Sequence, residues 1–198
     1  MQERLEAAKT TLDEAESISI DLSTEALPDG TTGLISATGV GNHDPAFDGD
    51  VTVAVAGAQQ DAEVVSVDGQ VQAKLGFTPD YIPVDPATLG APDPANFFDP
   101  ETGVSNFLSA TSDPVKGEET RDGEEVLTQI SGTLPGDVVQ DVVPTADPAG
   151  DFEVTYALSD DDVLRSARIT GPFYPDAADV TYDLTAEASD EAVTITAP

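Results

Sequence analysis

The chain has 198 residues, 39% of them hydrophobic, which suits one domain with a substantial core; with aromatics at 6% and no Trp, that core is built from Val, Leu, Ile and Ala. Seven basic residues against 39 acidic ones give a net charge of -32, which excludes a nucleic-acid ligand, because phosphate binding needs clustered Lys and Arg, and opposes adsorption to anionic head groups. The acidity reads as a strongly solvated surface suited to high salt, and the lack of Cys removes disulfide and thiolate chemistry.

In chain order, Leu5, Ala8, Leu12 and Ala15 recur at three- and four-residue spacing and predict a helix over 2–15. Ile18, Ile20 and Leu22 alternate with polar residues and predict a strand. A second strand over 33–41 is weakened by glycine. Val51, Val53 and Val55 form the bulky face of a third, with Thr52, Ala54 and Ala56 on the other side. Asp68-Gly69 between 64–67 and 71–75 signals a hairpin. Residues 76–102 hold six prolines and little alternation, so they predict a long irregular connection, and such loops tend to serve function. A short helix is expected over 103–110 and another over 135–143, the latter opened by Pro135 and faced by Val138, Val139, Val142 and Val143. Arg121-Asp122-Gly123 predicts a turn before a strand over 126–132. Phe152 to Leu158 and Val180 to Leu184 alternate as strands, and a final strand is expected near 193–195. Sequential hairpins with three short helices predict an α+β domain, an antiparallel sheet with helices on one face.

Catalytic patterns are sparse. The one histidine, His43, lies in a turn-like Asn-His-Asp-Pro segment with no nucleophile-elbow motif, and reads as an exposed loop residue. Asp48 with Asp50, Asp99 with Glu101, and Asp160–Asp162 lack the ligand spacing of an EF-hand loop; they read as solvated turns, with weak calcium binding as the alternative. Carboxylate spacing is compatible with glycoside hydrolysis, but sugar sites carry aromatic platforms and there is no Trp. Gly39-Val40-Gly41 lacks a third glycine and a following helix, so it is a bent strand and not a phosphate loop. The expectation is a protein without enzymatic activity, metal or cofactor.

Asp99-Pro100-Glu101-Thr102-Gly103-Val104-Ser105-Asn106-Phe107-Leu108 resembles the (D/N)-P-(D/E)-T-G-x-x-N-x-L stretch of the LppX/LprG family of actinobacterial cell-envelope lipoproteins. Pro92-Asp93-Pro94-Ala95 before it, Val64-Val65-Ser66-Val67-Asp68-Gly69 upstream and Ile130-Ser131-Gly132 downstream fit the same family, as does an N-terminal helix leading into Ser17. The resemblance spans nearly the whole chain. It implies a strongly curved antiparallel sheet, a half-barrel whose concave face is covered by short helices. Between them it implies an apolar cavity for the acyl chains of lipids or glycolipids, carried or displayed in the cell envelope alongside a membrane exporter. It also implies a precursor with a signal peptide and a lipidated lipobox cysteine ahead of this segment.

On the residues alone, the valine face could equally pack in a filled core, as in an envelope scaffold that docks a protein partner. The resemblance favours a cavity. Its expected wall is Val51, Val53, Val55, Val65, Val104, Phe107, Leu108 and Val139. Its expected mouth is Phe77, Tyr81, Ile82, Phe97 and Phe98, the large apolar side chains concentrated around the proline-rich segment. Burying alkyl chain is worth about 0.8 kcal/mol per CH₂, so a sixteen-carbon tail brings about 12 kcal/mol before entropy costs, without any directed polar contact. The expected partners are a lipid or acylated glycolipid, the exporter, and a membrane reached through the anchor; the protein is expected to be a monomer.

Overall fold

The computed structural model describes residues 1–76, 78–123 and 125–198. Helix α1 (Gln2–Asp13) opens the chain and buries the Leu5, Ala8 and Leu12 stripe. A first meander follows: β1 (Ser17–Ser23), β2 (Gly33–Asn42), β3 (Ala46–Val55), β4 (Ala58–Val67), β5 (Gln70–Leu75) and β6 (Ile82–Val84). Two 3₁₀ turns (Pro86–Leu89 and Pro94–Phe98) and helix α2 (Ser105–Ala110) lead to a second meander: β7 (Ser112–Asp122), β8 (Glu125–Pro135), β9 (Asp151–Leu158), β10 (Leu164–Gly171) and β11 (Val180–Ser189), with α3 (Gly136–Val142) between β8 and β9.

Among the described residues the strands form one eleven-stranded sheet in the order β6-β5-β4-β3-β2-β1-β11-β10-β9-β8-β7, and neighbours run antiparallel, as in β1–β11, β2–β3 and β8–β9. The first and last strands therefore pair at the centre, and β6 and β7 form the two open edges. The link from β6 to β7 must cross the whole width of the sheet. That topological demand explains the length of the proline-rich connection and lays it over one sheet face.

Alternation decides which face meets the core. Ile18, Ile20 and Leu22 of β1 are buried while Ser19 and Asp21 face outward or lie near the rim, and β9 and β11 repeat the pattern. Register shifts at Leu34/Ser36 in β2, Leu164/Ser166 in β10, and two points of β7–β8 bend the sheet toward its buried face. The three helices and the second 3₁₀ turn pack on that concave face as one core. The expected α+β class, a curved antiparallel sheet with short helices on one side, is what the structure shows.

Three expectations need correction. Residues 76–102 are not wholly irregular, since they hold β6 and both 3₁₀ turns. Helix α2 starts at Ser105, two residues later than expected, because Gly103 still belongs to the turn that its N–H closes on the Asp99 carbonyl oxygen, 2.7 Å away. No strand forms at 193–195: β11 is paired on both sides, so there is no free edge beside it. Instead Ser17 Oγ donates to the Glu191 carbonyl (2.8 Å) and Asn42 Nδ2 to that of Val193 (3.0 Å).

Candidate functional site

The crossing segment is built from repeated Asp-Pro steps. Asp85 and Asp93 each accept a hydrogen bond from the backbone N–H two residues on, Ala87 and Ala95, and the proline between is preset for the first helical position. Asp99 accepts from Glu101 (2.8 Å) and Thr102 (3.0 Å). Burial pushes the Asp99 carboxyl up, but these N–H groups more than offset it, so it titrates below the usual range.

The second 3₁₀ turn is tied down from several sides. Asp93 accepts from Ser66 Oγ on β4 (2.6 Å), and the Phe97 carbonyl accepts from the Val104 N–H (3.1 Å). His43 lies between the Phe98 carbonyl (2.7 Å from Nδ1) and that of Leu12 at the end of α1 (3.0 Å from Nε2). Both partners are acceptors, so the ring serves both only when both nitrogens carry hydrogen. His43 is thus a half-buried tie, not the exposed loop residue its sequence context suggested. The Phe98 ring stacks on Phe47, 6.2 Å between centroids, and lies over Gly41, where any β-carbon would strike it.

Between this segment and strands β2–β5 lies a cavity of about 230 Å³. Val51, Val53 and Val55 of β3 form one wall; Ala62, Val64, Val71, Ala73 and, on the edge strand, Val84 continue it; Leu89, Pro92 and Pro94 roof it. Gln60 is the sole polar side chain lining it among the described residues. Exposure grades along it. Gln60 and Ile82 stand exposed at one end, the three valines are half-buried, and Leu34, Ala37 and Phe97 are buried at the other. Two further apolar voids, of about 20 and 40 Å³, lie beyond Phe97 against α2 and the central strands.

The LppX_LprAFG lipoprotein family model matches residues 1–195. The chain belongs to this family. Two solved structures from mycobacteria share its fold. LprF from Mycobacterium bovis is 18% identical, with a TM-score of 0.77, over 100% of this chain and 96% of that one. The lipoprotein LppX from Mycobacterium tuberculosis is 16% identical, with a TM-score of 0.66, over 98% and 97%. No curated protein matches the sequence. The family is one of cell-envelope lipoproteins, and among the described residues no helix is long and apolar enough to cross a membrane.

Within this family fold the expected site residues separate into groups. Val51, Val53 and Val55 line the cavity, with Ile82 at its open end and Phe97 at its inner end. Val104 and Phe107 line the two smaller voids beyond Phe97. Leu108 and Val139 are fully buried in the filled part of the core. Phe98 lies deep, against Phe47, and not at a mouth. Val65 is on the wrong face: it follows Val64, pairs with Gln72 and Asp48, and shares the convex side with Glu63. Tyr81 turns to that side too, donating to Glu63 Oε2 (3.2 Å) beneath the Lys74 ammonium. Phe77 lies outside the described residues.

Of the acidic clusters, Asp99 caps a turn, and Asp162 pairs with Arg4, whose guanidinium also donates to the Ser159 carbonyl (2.7 Å). Among the described residues no three His, Asp or Glu side chains converge as a metal site.

Proposed function

We propose that this protein binds the acyl chain of a lipid or glycolipid in the cavity over β2–β5, and carries or presents it in the cell envelope without chemistry of its own. The observation that carries this reading is a 230 Å³ space walled by aliphatic side chains, with one polar residue, Gln60, near its open end. Water has almost no hydrogen-bond partner there, and apolar cavities of this kind stay dry or take apolar guests. Each methylene that enters gains about 0.8 kcal/mol. Selection is then for an alkyl chain, while the head group stays outside at the rim. A membrane exporter that hands over or receives the lipid is the protein partner that suits such a carrier.

The test is native mass spectrometry and organic extraction of the protein purified from an actinobacterial envelope, alongside displacement of a fluorescent fatty acid. Co-purified acyl lipid and saturable displacement are expected. A lipid-free protein that binds no fatty acid would leave the cavity a packing defect and the protein a scaffold.

A further inference from the structure

Phe97 is the one residue that lines all three apolar spaces among the described residues: the large cavity and both small voids. Its ring therefore stands as a partition between the open-ended cavity and the space beneath α2. Leu34 and Pro92 border the cavity and one of the voids beside it, whereas Val104 and Phe107 are seen only from the inner side.

The partition is fixed. The backbone around Phe97 is held by Asp93 to Ser66, by its own carbonyl to Val104, and by the neighbouring Phe98 carbonyl to His43. Nor can the ring swing inward, because voids of about 20 and 40 Å³ do not accept a phenyl group in a close-packed interior. An alkyl chain entering past Ile82 and the valine wall would run until it met this ring.

We propose that Phe97 is the floor of the cavity and sets the length of acyl chain that the protein holds. This rests on the reading of the cavity as an acyl site. Carbons beyond the length that reaches Phe97 stay in water and add little, whereas each buried methylene adds about fourfold to affinity. Removing the ring joins the cavity to the voids that Val104 and Phe107 line, and the binding space lengthens into the core.

The experiment is displacement of a fluorescent fatty acid by saturated fatty acids from octanoate to stearate, on the wild type, Phe97→Ala and Phe97→Leu, each checked for cooperative melting. In the wild type, affinity should climb with length and then level off. In Phe97→Ala the levelling should move to longer chains, raising the stearate-to-laurate affinity ratio about tenfold or more. Phe97→Leu, the milder change if the alanine variant does not fold, should shift it part of the way. Adding Val104→Phe to the truncated variant refills the space from below and should restore the early plateau, which a merely loosened protein would not do. The same plateau in wild type and folded variants, or a wild type whose affinity climbs unbroken to stearate, overturns the role of Phe97 and leaves the carrier reading standing. No binding of any chain by any variant or by the wild type overturns both.

Discussion

The Tyr182 hydroxyl on β11 donates to the backbone carbonyl of Leu34 on β2, 2.5 Å away, although β1 lies between the two strands. Neighbouring strands are about 4.8 Å apart, so the bond spans two spacings, a reach that a sheet curved toward its own inner face shortens. Tyr174 completes the arrangement. Its oxygen accepts from the Leu34 N–H (3.1 Å), and its hydroxyl lies 2.7 Å from that of Tyr182. Two tyrosines thus satisfy the backbone of Leu34 next to the Leu34/Ser36 register shift, where the ladder is disturbed.

Tyr182→Phe should therefore destabilise the protein by about 1–3 kcal/mol, because it orphans a buried carbonyl and removes the partner of Tyr174. Denaturant unfolding followed by circular dichroism measures it. Since Leu34 also lines the cavity, the same variant should bind fatty acid more weakly. A loss of less than about 0.5 kcal/mol would mean that the bend holds without the tyrosines.

Those tyrosines also predict alkaline sensitivity. Burial holds Tyr156, Tyr174 and Tyr182 above the ordinary phenol range, and the neighbouring Tyr174 pushes Tyr182 further up. Their unfolded counterparts ionise near pH ~10. The folded state binds protons that the unfolded state has lost, so this contribution to stability is full below pH ~10 and declines as the pH rises above it. Phenolate absorbance and circular dichroism should change together for these three, while Tyr81, beside Glu63 on the convex face, ionises without unfolding. Phenolate from all four tyrosines with native dichroism intact would contradict the burial.

At the acid end the sign reverses. Asp99 is held below the usual carboxylate range, burial being outweighed by the Glu101 and Thr102 N–H bonds. Its contribution is present above pH ~4 and is lost as the pH falls through its folded value. Asp99→Asn removes the charge from that turn and should flatten the acid limb of the stability curve. An unchanged limb in urea melts between neutral and acid pH would show that other carboxylates dominate it.

Net charge sets the salt response. Six basic residues, Arg4, Lys9, Lys74, Lys116, Arg165 and Arg168, are each within reach of a carboxylate; the Arg4 and Lys9 pairs are partly buried, the more exposed ones contribute little, and 39 acidic residues far outnumber them all. Repulsion among the carboxylates therefore dominates, and it weakens as the Debye length falls from about 10 Å at 0.1 M to 3 Å at 1 M salt. The melting temperature should rise with sodium chloride over that range. A fall would mean that the ion pairs outweigh the repulsion.

Much of the fold was legible because the sheet is amphipathic and its strands follow one another in hairpins. Ile18, Ile20 and Leu22, or Phe152, Val154, Tyr156 and Leu158, each show their buried face by alternation alone. The cavity was legible only where that rule held, at Val51, Val53 and Val55, and could have been read at Val71 and Ala73, which alternate with Gln70, Gln72 and Lys74. It failed at Val65, because Val64 and Val65 are both apolar and nothing in the run says which faces inward. It failed also at Leu34 and Ala37. The bulge inserts a residue between them, so two cavity-lining positions stand three apart in a strand whose period is two. The roof was hidden for another reason. Pro92, Pro94 and Leu89 are placed by the Asp-capped turns, and no periodicity marks such turns.

Val53 offers the sharpest test of whether the cavity is a binding space. It is half-buried, lines the cavity, and packs beside the core without being enclosed by it. Val53→Trp has room for the added volume if the space is open in solution, and the indole would then occupy volume that an alkyl chain uses. The variant should melt close to the wild type and bind fatty acid at least tenfold more weakly. If the wall instead closes against the roof in solution, the same change overpacks a filled core and costs about 1–3 kcal/mol. Melting and fatty-acid displacement on one preparation separate the two outcomes. A strongly destabilised Val53→Trp protein, from a parent that also binds no fatty acid, would leave no room for an acyl chain on this side of the sheet.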